Sequence, residues 1–157
     1  MDFEPGYAIL AGLVGGTAMA VMLYMGIAML PQQMKMNLFT MLGTMVLPAG
    51  AAAFVMGAMV HAGMSVAFGL AHGAVFAVAD IESSEAAWGL LFGLVHWAGA
   101  GMALGMLPLM HPRIRDGELD APGFYALSYP PMTALGFLML HLVFGVIVGA
   151  LYATWAG

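Results

Sequence analysis

Cysteine is absent from this 157-residue chain, and with it go disulfide frameworks, thiolate metal centres and cysteine nucleophiles. Basic charge is almost as scarce. Lys35, Arg113 and Arg115 are the whole complement, so no stripe of cations exists to meet phosphates, and nucleic acid is excluded as a partner. Carboxylates are few and none falls inside the long apolar runs, which removes the buried acid that proton-coupled exporters and di-metal centres depend on. No Ser/His/Asp arrangement and no His-Glu-x-x-His spacing occurs either, so the chain reads as non-catalytic.

What is present is overwhelmingly apolar. Hydrophobic residues make up 63% of the chain and charged ones 7%, more apolar surface than a soluble globule can hide. A helix needs about 20 apolar residues to cross a bilayer, and four windows supply them: Tyr7–Leu30, Ala51–Ala79, Ala87–Leu109 and Pro131–Trp155. The expected fold is therefore an all-α membrane protein with four transmembrane helices. Asp2 and Glu4 stand where a secretory signal carries positive charge, so the first window reads as a permanent helix.

The two halves of the sequence repeat one another. At an offset of 77, Gly12/Gly89, Leu13/Leu90, Gly16/Gly93, Met25/Met102, Met29/Met106, Leu30/Leu107 and Pro31/Pro108 coincide. At 76, so do Phe68/Phe144, Gly69/Gly145, Gly73/Gly149, Ala74/Ala150 and Ala77/Ala153. The chain thus divides into a first membrane half (1–79), a connector (80–86) and a second membrane half (87–157), each half a helix-loop-helix unit. An even number of crossings per half gives both halves the same sense, so they are expected to be related by a pseudo-twofold axis along the membrane normal.

Between the first two spans, Met34, Leu38, Met41, Leu42 and Met45 recur at helical spacing and suggest an interfacial helix over about 34–47. In the second half, helix three is expected to end at Leu107-Pro108, followed by a Pro- and Gly-punctuated loop. All three cations lie in these two loops, which places the loops in the cytoplasm and both termini outside. Aromatic belts agree with the spans: Tyr7, Trp88, Tyr152 and Trp155 at the outer face, Phe39, Phe54, Tyr125 and Tyr129 at the inner.

Each span carries a Gly-x-x-x-Gly pair: Gly12/Gly16, Gly69/Gly73, Gly89/Gly93 with Gly101/Gly105, and Gly145/Gly149. Small residues four apart let helix backbones approach closely where lipid supplies no hydrophobic drive. They serve packing in the bundle, or leave room for a flat cofactor or another subunit's helix.

Histidine is the titratable side chain of the spans, as His61, His72, His96 and His141. An imidazole in hydrocarbon is costly, which makes function the default expectation. At about 1.5 Å per residue, His72 and His96 lie roughly 12 Å from the connector end of their helices, facing across a hairpin. With His141 they are candidate ligands of a b-type haem or a (bacterio)chlorophyll. The other reading is a neutral histidine satisfied by a backbone carbonyl. Seventeen methionines raise copper as a third possibility, with Met56, Met59 and His61 as ligands; the ordinary alternative is methionine as flexible filler.

The runs Ala11-Gly12-Leu13 and Thr17-Ala18-Met19, with His141-Leu142-Val143-Phe144-Gly145 and Gly149-Ala150-Leu151-Tyr152 near the end, resemble small uncharacterised four-helix bacterial integral membrane proteins. The resemblance spans nearly the whole chain and implies a bacterial inner membrane protein with no activity to transfer. The function expected first is that of an accessory or structural subunit of a larger membrane complex, respiratory or photosynthetic, with other integral membrane subunits and lipids as partners. A haem or chlorophyll protein in electron transfer or light harvesting, and a copper-handling protein, are the alternatives.

Overall fold

Proline opens two of the long helices and glycine packs all four. In the computed structural model, which describes residues 2–156, α1 (Pro5–Met29) and α6 (Pro131–Ala156) each begin on a proline, whose fixed φ and missing N–H suit the first helical position. α3 (Ala51–Val78) and α4 (Glu85–Met110) complete the set of four helices long and apolar enough to cross a membrane. The chain is 76% helix with no strand among the described residues, so it is an all-α, multi-pass membrane protein.

α3 stops through a 6→1 bond from Ile81 N–H to Phe76 C=O, with Asp80 in the left-handed region at φ 50° and Ile81 buried. This is a Schellman end with aspartate where glycine is usual. α4 begins just after it, at Glu85, so the connector is as short as expected.

Two local expectations need correcting. The helix expected over 34–47 is one short turn pair, α2 (Leu38–Gly43), because Asn37 caps it by accepting from Thr40 N–H. Met34 and Met36 lie outside it, in irregular backbone, and are buried. The Met34 methyl sits against Gly26 and Gly136, in gaps those glycines leave. In the second half, α4 does not end at Leu107-Pro108 but runs on to Met110, with His111 N–H donating to Leu107 C=O at 2.7 Å. A proline in the last turn removes one ladder bond without preventing the turn behind it. Pro112 then opens α5 (Pro112–Arg115).

The chain forms two compact bodies. The end body comprises Met1–Met22, Ala62–His96 and Met139–Gly157, and so collects the described terminal segments and the connector; the loop body comprises Leu23–His61 and Trp97–Leu138, and collects both loops. In the end body α1 meets α3 at Gly12 and Gly69, where a Cβ on either would strike the opposite backbone. α4 meets α6 in the same way at Gly89 and Gly145. Gly73 abuts Ala8 and Tyr152, Gly149 faces Glu85, and Gly93 lies on the backbone of His141 and Leu142. Gly16 is buried on the same stretch of α1. The room at Gly12, Gly69, Gly89, Gly93, Gly145 and Gly149 is therefore filled by helix backbone, and that at Gly73 by the Ala8 and Tyr152 side chains.

Polar clips finish each body. Tyr152 is fully buried, its hydroxyl accepting from Glu4 N–H at 2.9 Å, so it holds the N-terminal segment rather than standing in an interfacial belt. In the loop body the Thr133 hydroxyl donates to Gln33 C=O and accepts from Lys35 N–H, tying the first loop to the start of α6. Gly101 and Gly105 are covered by the rings of Tyr125 and Phe124, so this pair receives loop aromatics and not another helix.

Candidate functional site

The buried residues of α3 include His61, Ser65, Gly69, His72 and Phe76, which recur at three- and four-residue steps along one inward face. α6 presents His141, Phe144, Gly145, Val148 and Tyr152 at the same spacing. Because Gly93 allows α4 to touch α6 at His141, the next inward residue of α4, His96, arrives beside the His141 ring. Close backbone packing thus sets where the imidazoles meet.

His72, His96 and His141 converge in the end body. The rings of His96 and His141 are 4.7 Å apart between centroids, and those of His72 and His96 are 6.3 Å apart, both pairs close to perpendicular. His72 is 4% exposed and His141 6%. Around them stand Phe68, stacked on His96 at 3.6 Å, Phe144 at 5.4 Å from His96 and 5.5 Å from His72, and Phe92 at 6.0 Å from His72.

The hydrogen bonds fix one tautomer. His72 Nδ1 lies 2.7 Å from Phe68 C=O, which can only accept, so Nδ1 carries the hydrogen and Nε2 the lone pair. That Nε2 is buried with no hydrogen-bond partner, and so is His96 Nδ1. Two orphaned nitrogens within one apolar shell are unusual, since an unsatisfied buried polar atom costs about 1–3 kcal/mol. A histidine whose Nδ1–H is anchored on a carbonyl while Nε2 stays bare has the arrangement of a ligand in waiting.

His61 belongs to the loop body, buried and 5.5 Å from the Phe39 ring within the Tyr24–Phe39–Phe54 aromatic group. Met59, two residues away on the opposite side of α3, is 64% exposed, and Met56 is half-buried. The candidate copper set is thus spread around the helix and does not converge. No group of three His, Asp or Glu side chains close enough to hold a metal occurs among the described residues.

No protein-family model, curated protein or solved structure matches this chain. Its own geometry therefore carries the functional reading.

Sequence reasoning passed over His111. It is fully buried: Nε2–H donates to Met41 C=O at 2.9 Å, Thr44 Oγ1 lies 3.4 Å from the same nitrogen, and Nδ1 accepts from Ile114 N–H as the cap of α5. With both nitrogens engaged it joins the second loop to α2 and is structural. The His111-Pro112 pair, a cap residue before a helix-opening proline, was the available signal. The loop body also carries an open cleft of about 380 Å³ lined by Lys35, Asn37, Asp120, Ser128 and Tyr129 among others, whose charges of both signs favour no one ligand.

Proposed function

We propose that this protein is a non-catalytic accessory subunit of a larger bacterial inner-membrane assembly, respiratory or photosynthetic in kind. The observation that carries the reading is the outward face of α3. Only 17% of that helix's apolar window is buried within the protein, against 33% for α1 and α6. Its exposed residues include Gly63, Ala67 and Ala71 at four-residue spacing, with open space beside Gly63. A helix that met lipid alone would gain nothing from such a stripe, whereas a neighbouring transmembrane helix could lie close along it. A photocrosslinking residue at Ala67 is expected to capture an integral membrane polypeptide in native membranes, with Leu135 on α6 as the lipid-facing control; adducts to lipid alone at both positions would overturn the reading.

On this reading the two halves are tandem copies of one hairpin with a pseudo-twofold relation, supported by the paired contacts Gly12–Gly69 and Gly89–Gly145 at equivalent sequence positions. The loops that carry Lys35, Arg113 and Arg115 face the cytoplasm and both termini face outward.

A second reading, that the subunit holds a histidine-ligated group, is favoured by the convergence of His72, His96 and His141 and by the two orphaned nitrogens. His72 alone has the hydrogen bonding of an axial ligand to haem or chlorophyll. The rings of Phe68, Phe92 and Phe144 are in direct contact with the imidazoles, however, and leave a cage with no slot for a tetrapyrrole plane. The cage favours a small ligand.

A further inference from the structure

We infer that His72 Nε2 and His96 Nδ1 form a two-coordinate site for a soft monovalent cation, cuprous copper. The inference rests on the ligand-holding reading and names its ligand.

The spacing is the first ground. Metal–nitrogen bonds of about 2.0–2.1 Å and ring bonds of about 1.33 Å, which put each nitrogen about 1.1 Å from its ring centre, require imidazoles gripping one ion from opposite sides to have centroids about 6.3 Å apart. The centroids of His72 and His96 are 6.3 Å apart, and the two buried, unpartnered nitrogens belong to these two rings. Phe68 holds both partners: its carbonyl anchors His72 and its ring stacks on His96.

The donor set is the second ground. Both donors are neutral and no carboxylate or thiolate belongs to the cluster, so any ion brings its full charge into an apolar interior. The cost of desolvating that charge rises with its square, which selects a monovalent over a divalent ion. Zinc asks for a tetrahedral set and calcium or magnesium for oxygens, neither of which the cluster provides. Cuprous ion accepts two imidazoles in line, needs no charged ligand and is favoured by exclusion of water. Phe68, Phe92 and Phe144 surround the two imidazoles with apolar rings that keep water from the site. His141, packed on His96, is a positioning residue.

The test is anaerobic titration of the full chain in lipid nanodiscs with cuprous ion, competed against a chromophoric cuprous chelator. One equivalent is expected to resist the chelator in the parent protein and in His61→Leu. His72→Leu and His96→Phe are expected to lose at least about 100-fold in affinity, and the second variant keeps an aromatic ring for Phe68 to stack on. Retention of copper by both variants, or loss in His61→Leu, would overturn the site. In case the variants fail to fold, the parent chain with ¹⁵N-labelled histidine is titrated with silver, a redox-inert substitute. Shifts confined to His72 Nε2 and His96 Nδ1 support the assignment, and shifts at His61 or none at all overturn it. A parent protein that binds neither cuprous ion, silver, zinc nor haem would sink the ligand-holding reading as well; one that retains zinc or haem but not copper would sink only the choice of ion.

Discussion

At the scale of single residues, the protein separates histidines that are finished from histidines that are not. His111 has every polar atom engaged, and its role can be removed cleanly. His111→Leu leaves Ile114 N–H unpaired in a buried site and Met41 C=O with the Thr44 hydroxyl alone, and is expected to lower stability by about 1–3 kcal/mol, read as a fall in melting temperature in detergent. Thr133→Val, which orphans Lys35 N–H and Gln33 C=O, is expected to cost about 1–3 kcal/mol by the same measurement. Tyr129 supplies a pH signature. Burial, and then the nearby Asp120 carboxylate, push its phenol above the usual tyrosine range. The stability it lends is thus full below about pH 10 and is lost as pH rises through the raised value, because the unfolded chain releases that proton first. Alkaline unfolding should shift to higher pH in Tyr129→Phe, and an unchanged midpoint would count against this. Some of the residue scale was legible in sequence: imidazoles in apolar runs announce themselves. The tautomer of His72 and the clip made by Tyr152 were not, because both depend on partners far off in the chain or on ring orientation.

Among the elements, glycine placement decides the packing. Gly69 and Gly145 meet opposing backbone, so a side chain has nowhere to go; Gly69→Val is expected to cost on the order of 3 kcal/mol. Gly63 faces open space within the same helix. Gly63→Ala should leave the isolated chain as stable as before, or more stable by up to about 1 kcal/mol through helix propensity. Equal destabilisation by the two substitutions, followed by thermal unfolding in one detergent, would contradict the assignment of faces. The long helices were legible to within a few residues because a run of about 20 apolar residues has few alternatives. The short ones were not. Helical spacing of methionines over 34–47 gave the impression of one amphipathic helix, whereas Asn37 starts the helix late and Met34 and Met36 are drawn into the loop body by the gaps at Gly26 and Gly136. The doublets Gly101/Gly105 and Gly12/Gly16 look alike in sequence. Aromatic rings of the loop, brought there by a 3-10 turn with Tyr125 in the left-handed region, make the difference.

For the molecule as a whole, the reading of four membrane crossings predicts the two connecting loops on the side opposite the α3–α4 connector. Single cysteines at Gly117 and Glu82, introduced into a chain that has none, should therefore label with an impermeant reagent from opposite faces of sealed vesicles, and same-side labelling would contradict four crossings. On the proposed reading this chain works as a subunit and not alone. Extraction of the untagged protein from its own membranes in mild detergent, followed by native electrophoresis and mass spectrometry of the band, tests that directly. The expected result is migration in an assembly several times its own 16.4 kDa with other integral membrane polypeptides in fixed ratio. Migration as a lone chain, or with itself only, under conditions that keep known membrane complexes intact, would contradict it.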